Sequence, residues 1–189
     1  KKDLSLWGSD PAVHASVGNR LGWLAMPRVM ADNAAALPVF AEEIRRAGFT
    51  HALLLGMGGS GLFSEVCRFT FGVQPKGIEL TVLDTTDPQA ILSAQQSCPL
   101  QQLLVIISSK SGSTSEVSAL SKYFYELFKR NGLNAGDHCV VITDQATPLE
   151  AQAAAWKCRR VFVHGPDTGA DVGGRFSALT YFGLVPASL

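Results

Sequence analysis

The chain has 189 residues, 47% of them hydrophobic, and its 16 Lys and Arg balance 16 Asp and Glu. That length suits one large domain, and the absence of a basic excess argues against nucleic acid as a partner, since phosphate backbones are bound by surplus Lys and Arg. The longest uncharged runs, Ala47 to Ser64 and Pro88 to Ser109, are broken by Gly, Ser, Gln or Pro, so no membrane span is expected.

Residues 10–47 read as two helices. Asp10-Pro11 supplies an N-cap followed by proline in the first turn, and Ala, Val and Leu carry the pattern to about Met30, with Pro27 kinking or ending it. The second runs from Asp32 to Ala47, with Glu42, Glu43, Arg45 and Arg46 on its wet face, Pro38 in its middle and Gly48 as its stop. From residue 51 short apolar runs alternate with helical patterns. The runs are Ala52–Leu55, Glu79–Leu83, Leu103–Ile107, His138–Ile142 and Arg160–Val163, and helices are predicted near 60–72, 87–97, 114–131 and 147–157. Continuous Val, Ile and Leu marks strands buried on both faces of a parallel sheet. Right-handed crossovers then predict a three-layer α/β/α sandwich around a five-stranded parallel sheet, with the flavodoxin-like order 2-1-3-4-5 as the expected arrangement.

Two strand-to-helix junctions are candidates for binding. The first is Gly56-Met57-Gly58-Gly59-Ser60-Gly61, where glycines permit a tight turn and the following helix offers unpaired N–H groups to an anion. A plain Ser-capped turn explains it too. Gly56, Gly58 and Gly61 also satisfy G-x-G-x-x-G, with Asp84 ending the next strand where an acid would meet a ribose. Taken alone, this loop favours a dinucleotide. The second junction is Ser108-Ser109-Lys110-Ser111-Gly112-Ser113-Thr114-Ser115-Glu116, where hydroxyls, backbone N–H groups and one lysine suit a phosphate dianion. A Ser/Thr-capped helix with Glu116 in its first turn accounts for its end but not for the donors before it, and Lys110 can equally face solvent. In the expected strand order the two loops flank the point where the order reverses, which favours a phosphorylated small molecule over a dinucleotide. A third segment, Ala170 to Thr180, places Gly173 and Gly174 before Arg175 at the start of an apolar helix. That arginine suits negative charge developing on a substrate oxygen, or it pairs with Asp171.

Together the three motifs resemble the first sugar-isomerase (SIS) domain of the phosphoglucose isomerases. GMGGS at 56–60 is similar to that family's first glycine loop, SSKSGSTSE at 108–116 to its phosphate loop, and AxVGGRFS at 170–177 to its signature. VLDTTDP at 82–88 and YFGLVPASL at 181–189 most resemble the isomerase half of bacterial transaldolase/phosphoglucose isomerase fusions. One departure is Ser111-Gly112, where many classical members have Thr-Phe. The resemblance implies that Ser60, Ser109, Lys110, Ser111 and Thr114 surround a substrate phosphate. It also implies that Arg175 steadies an enediolate, while Gly58, Gly59, Gly173 and Gly174 permit close backbone approach. It implies aldose–ketose isomerisation of glucose 6-phosphate and fructose 6-phosphate, a step of glycolysis and gluconeogenesis.

In that family the catalytic glutamate, the ring-opening histidine and a lysine lie in later segments. The chain is therefore read as a fragment, inactive alone: residues 1–48 an N-terminal helical segment, and 49–189 a SIS domain truncated at its C-terminus. A non-catalytic phosphosugar-sensing SIS module is the alternative, and a dinucleotide-binding domain a more remote one.

The remaining composition fits a cytoplasmic protein. Lys1 to Leu6 lacks the apolar stretch of a secretory signal. Cys67, Cys98, Cys139 and Cys158 lie far apart and read as reduced thiols, and without ligand spacing neither a metal nor a cofactor is implied. Charged residues are 17%, below the roughly 25% usual for globular chains, so either the chain associates or it is a piece of something larger. The resemblance implies that the covering surface is a homodimer partner or a second SIS domain.

Overall fold

The apolar runs pair into a single parallel sheet of β1 (His51–Leu55), β2 (Glu79–Leu83), β3 (Leu103–Ser109), β4 (Cys139–Asp144) and β5 (Arg160–His164). Its order is β2-β1-β3-β4-β5, the order expected from the sequence. This is a computed structural model that describes residues 2–165, 168 and 171–189; Ala170, which opens the third motif, lies outside the described residues.

The period-two geometry of the strands sends alternate side chains to opposite faces. Leu53, Leu55, Val105, Ile107 and Val141 face one layer, made of α5 (Pro88–Gln95), α6 (Ser115–Arg130) and α7 (Pro148–Trp156). Ala52, Leu54, Leu104, Ile106 and Ile142 face the other, where α3 (Ala36–Arg46) and α8 (Tyr181–Ala187) pack. Phe124 and Phe128 of α6 are completely buried, each such side chain contributing about 1.5–3 kcal/mol by leaving water. α4 (Leu62–Phe71) lies at the margin; Ser64 is its one buried residue. Leu62, Val66 and Phe69 stand on its outer side, exposed by half or more.

The N-terminal helices depart from expectation. The first α-helix, α1 (Pro11–Gly18), ends well before Met30. Beyond it the backbone is claimed by the third motif: Leu21 forms an antiparallel bridge to Val172, and Gly22 N–H donates to the Asp171 carbonyl at 3.0 Å. Pro27 therefore opens a helix, α2 (Met26–Asn33), where its missing N–H costs nothing. Pro38 falls in the first turn of α3 and is harmless for the same reason. Gly48 stops α3 as expected, at φ +87°. α3 contributes Leu37, Phe40 and Ile44 to the core. Among the described residues no helix is long and apolar enough to cross a membrane.

Candidate functional site

β1 and β3 are neighbours, and the chain leaves them toward opposite edges of the sheet. Their carboxyl ends thus flank the crevice where open α/β sheets receive ligands. After β1 the glycine loop turns through a short 3-10 helix, Gly58–Ser60, into α4. After β3, which runs two residues further than expected and carries Ser108 and Ser109 inside the sheet, the serine loop enters α6. The two loops touch: the Ser108 hydroxyl donates to the Ser60 carbonyl at 3.4 Å.

The third motif closes over the first. Gly174–Leu179 forms a 3-10 helix, so Arg175 does not open an α-helix; α8 starts only after Thr180, whose hydroxyl accepts from Phe182 N–H at 3.2 Å. The reason is a tertiary contact. Gly174 is laid on Gly59 so closely that a Cβ on Gly59 would overlap the Gly174 carbonyl oxygen. The Ser177 hydroxyl bridges the pair, 2.7 Å from the Gly174 carbonyl and 3.2 Å from that of Gly59. Arg175 is exposed and makes no ion pair among the described residues. Asp171, its candidate partner in the sequence, is taken by Lys2, whose hydrogen bond holds the Asp171 carboxyl below the usual range.

In the serine loop, Thr114 occupies the N-cap position of α6 with extended backbone but does not cap it. Its hydroxyl lies 3.1 Å from the Ser109 hydroxyl instead. The first N–H groups of α6 therefore remain available to an anion, together with the positive end of the helix dipole. Ser111 Oγ accepts from Ser113 N–H at 3.3 Å and from the Ser113 hydroxyl at 3.1 Å. Gly112 turns at φ +66°, and a Cβ there would stand 2.6 Å from Thr147 Cβ. Lys110 does not reach into solvent: its ammonium lies 2.6 Å from Asp144 Oδ2 at the end of β4.

Several residues that brace this site carried no motif. A directed chain runs from Glu150 N–H to the Thr147 hydroxyl, from there to Thr143, and from the Thr143 hydroxyl to the Ser109 carbonyl at 2.8 Å. It fixes the exit of β3. Asp144 and His164 end adjacent strands in register, and His164 is completely buried as a side chain. Burial foremost, then the charge of Lys110, lowers the pKa of His164, against the opposing pull of Asp144. The available signal was polar residues closing the apolar runs of β4 and β5.

Of three cavities, one of about 190 Å³ is bounded by Gly56, Gly58, Gly61, Glu65, Val82 and Asp84. Another, about 440 Å³, lies beside Phe71, Ile78 and Leu189 at the opposite end of the sheet, and the most voluminous, about 580 Å³, is an open hollow beside Pro38, Val39 and Glu42 of α3. No described residue of the three motifs lines either of these. Among the described residues no group of three or more His, Cys, Asp or Glu is placed to hold a metal ion.

The sheet and its layers match those of SIS-fold phosphosugar isomerases. The crystal structure of tagatose-6-phosphate ketose/aldose isomerase from Escherichia coli superposes with a TM-score of 0.57 at 15% identity, covering 95% of this chain and 47% of the other, a likeness of fold alone. No family model matches the chain. A glucose-6-phosphate isomerase of Chlamydia trachomatis serovar L2 is 32% identical over 143 residues, 75% of this chain and 26% of that protein. One from Cyanothece sp. is 30% identical over 203 residues, 96% of this chain and 37% of that protein. The crystal structure of a glucose-6-phosphate isomerase from Chlamydia trachomatis D/UW-3/Cx superposes with a TM-score of 0.72 at 27% identity, covering 96% of this chain and 33% of the other. The chain belongs to the glucose-6-phosphate isomerase family, and spans well under half the length of the relatives it matches.

Proposed function

We propose that the chain is the sugar-phosphate-binding part of an isomerase that interconverts glucose 6-phosphate and fructose 6-phosphate through an enediolate. The observation that carries this reading is the joining of all three motifs: Ser108 to Ser60, and Ser177 and Gly174 to Gly59. The substrate phosphate would lie against the uncapped start of α6, receiving hydroxyls from Ser60, Ser109, Ser111 and Thr114, with Lys110 as its counter-ion. Arg175, exposed and unpaired among the described residues, is the group to stabilise negative charge on the opened sugar. Gly58 and Gly173 would admit the sugar backbone closely, as Gly59 and Gly174 admit one another. The base that removes the C2 proton is assigned to no residue of this chain: Glu65 is held by Arg68 at 2.8 Å and Glu116 is exposed in the first turn of α6. Turnover is therefore expected to need further segments, such as a second SIS domain, and a homodimer, a cytoplasmic location, a place in glycolysis and a transaldolase fusion belong to the same proposal.

A dinucleotide reading has one observation in its favour, the cavity shared by the glycine loop and Asp84. Against it, the Gly174–Leu179 segment covers Gly59, where a pyrophosphate would cross the turn. Isothermal titration with fructose 6-phosphate, inorganic phosphate and NADH separates the two. Fructose 6-phosphate is expected to bind, and Ser109→Ala with Ser111→Ala to weaken it at least about tenfold, because a hydrogen bond to a charged group is worth about 1.5–3 kcal/mol. Binding of NADH in place of the sugar phosphate overturns the proposal.

A further inference from the structure

The Asp144 carboxylate faces two basic side chains and satisfies only one. Its Oδ2 holds the Lys110 ammonium at 2.6 Å, while Oδ1 is buried without a hydrogen-bond partner among the described residues. Below it, at the paired position of β5, the imidazole of His164 has Nδ1 3.9 Å from Oδ1, beyond hydrogen-bond reach. Both ring nitrogens of His164 are likewise buried and have no hydrogen-bond partner among the described residues. Such orphaned groups are uncommon in folded proteins and ask for a reason.

We propose that Asp144 and His164 are positioning residues that link phosphate binding to proton uptake: a phosphate in the serine loop draws Lys110 off Asp144, and a proton taken up by His164 restores the charge balance. This rests on the phosphate reading of the serine loop given above. In the free site Lys110 neutralises Asp144 and repels a proton from the ring beneath. When the phosphate dianion takes the ammonium, Asp144 is left as a part-buried anion with no cation. A proton from the buffer then settles on His164. A small approach of the ring closes the 3.9 Å gap into a charge-assisted N–H to Oδ1 bond. No bond between heavy atoms changes; one proton moves from solvent to Nδ1.

Around His164, β4 presents Asp144, the loop after β3 presents Lys110, and α8 presents the Phe182 ring at 6.0 Å between centroids. Lys110 and Asp144 are the two charged groups among the described residues that act on it. The coupling has a definite sign. Binding favours the protonated ring, so this contribution to affinity is full below the free-state pKa and fades as pH rises through the higher pKa of the complex.

Proton NMR of the imidazole C–H signals against pH, with and without saturating fructose 6-phosphate and inorganic phosphate, reads this directly. The chain has four histidines, and His164→Gln assigns the line. Should that variant not fold, the line displaced by Asp144→Asn assigns it. Ligand is expected to raise the His164 midpoint by about one unit or more. Asp144→Asn is expected to cancel the rise, since no anion is then exposed. Saturable binding with an unmoved His164 midpoint overturns the linkage and leaves the phosphate site standing. Absence of saturable binding by either ligand overturns the phosphate reading and this inference with it.

Discussion

A side chain on Gly59 has no space to occupy, because the Gly174 carbonyl is already there. Gly59→Ala must push the third motif off the first loop and break the Ser177 bridge at 3.2 Å. Overpacking of this kind costs about 1–3 kcal/mol, so urea unfolding should show a lowered midpoint with an unchanged slope, and phosphosugar affinity should fall with it. His164 makes a second residue-scale claim, independent of any ligand. Its pKa is lowered in the folded chain, so between its ordinary value of about 6.5 and that lower folded value the unfolded chain binds a proton the native chain refuses. Stability from this group is therefore lost as pH falls through that window and is level above it. Urea titrations at pH values on either side of the window should show the loss in the native sequence and a smaller one in His164→Gln.

At the scale of elements, helix starts that look alike in sequence behave differently. Asp87 caps α5 by accepting from Ala90 N–H at 2.9 Å, so Asp87→Ala should cost about 1 kcal/mol of stability. Thr114 stands at the equivalent place on α6 but has given its hydroxyl to Ser109. Thr114→Ala should thus cost less stability than Asp87→Ala and more phosphosugar affinity, a contrast that thermal melts beside calorimetric titration will read. The sheet was legible because strands buried on both faces must be apolar throughout, as Leu103 to Ile107 are. The positions of the two loops were legible because runs of glycine and of hydroxyls interrupt the apolar pattern where β1 and β3 end. The 3-10 path of Gly174–Leu179 was not, since it is imposed by Gly59, far away in the chain. Nor was the end of α1, whose following residues have helical composition but spend their backbone groups on Asp171 and Val172. The pairing of Lys110 with Asp144 was hidden for a related reason, because neither residue's partner lies in its own loop.

At the scale of the molecule, the low charged fraction has a definite address. Leu62, Val66 and Phe69 recur at helical spacing along the outer side of α4 and are 67%, 52% and 74% exposed, and Val73, just past the Gly72 turn that ends the helix, is 57% exposed. Single exposed apolar residues are ordinary, but a row of three on one helix with a fourth beyond its end is the kind of patch that association covers. The nearest charges, Glu65 and Arg68, neutralise each other at 2.8 Å, so the row is not interrupted by net charge. If the proposed association uses this side of α4, Val66→Glu with Phe69→Glu places two like charges in the contact and should drive the chain to its smallest species in sedimentation velocity. Because both side chains are mostly outside the core, unfolding of the isolated chain should shift by no more than about 0.5 kcal/mol per substitution. An unchanged sedimentation coefficient, with the native chain already associated, moves the contact to another face. A large loss of stability would mean instead that α4 is held to the sheet through this row, which its exposure argues against.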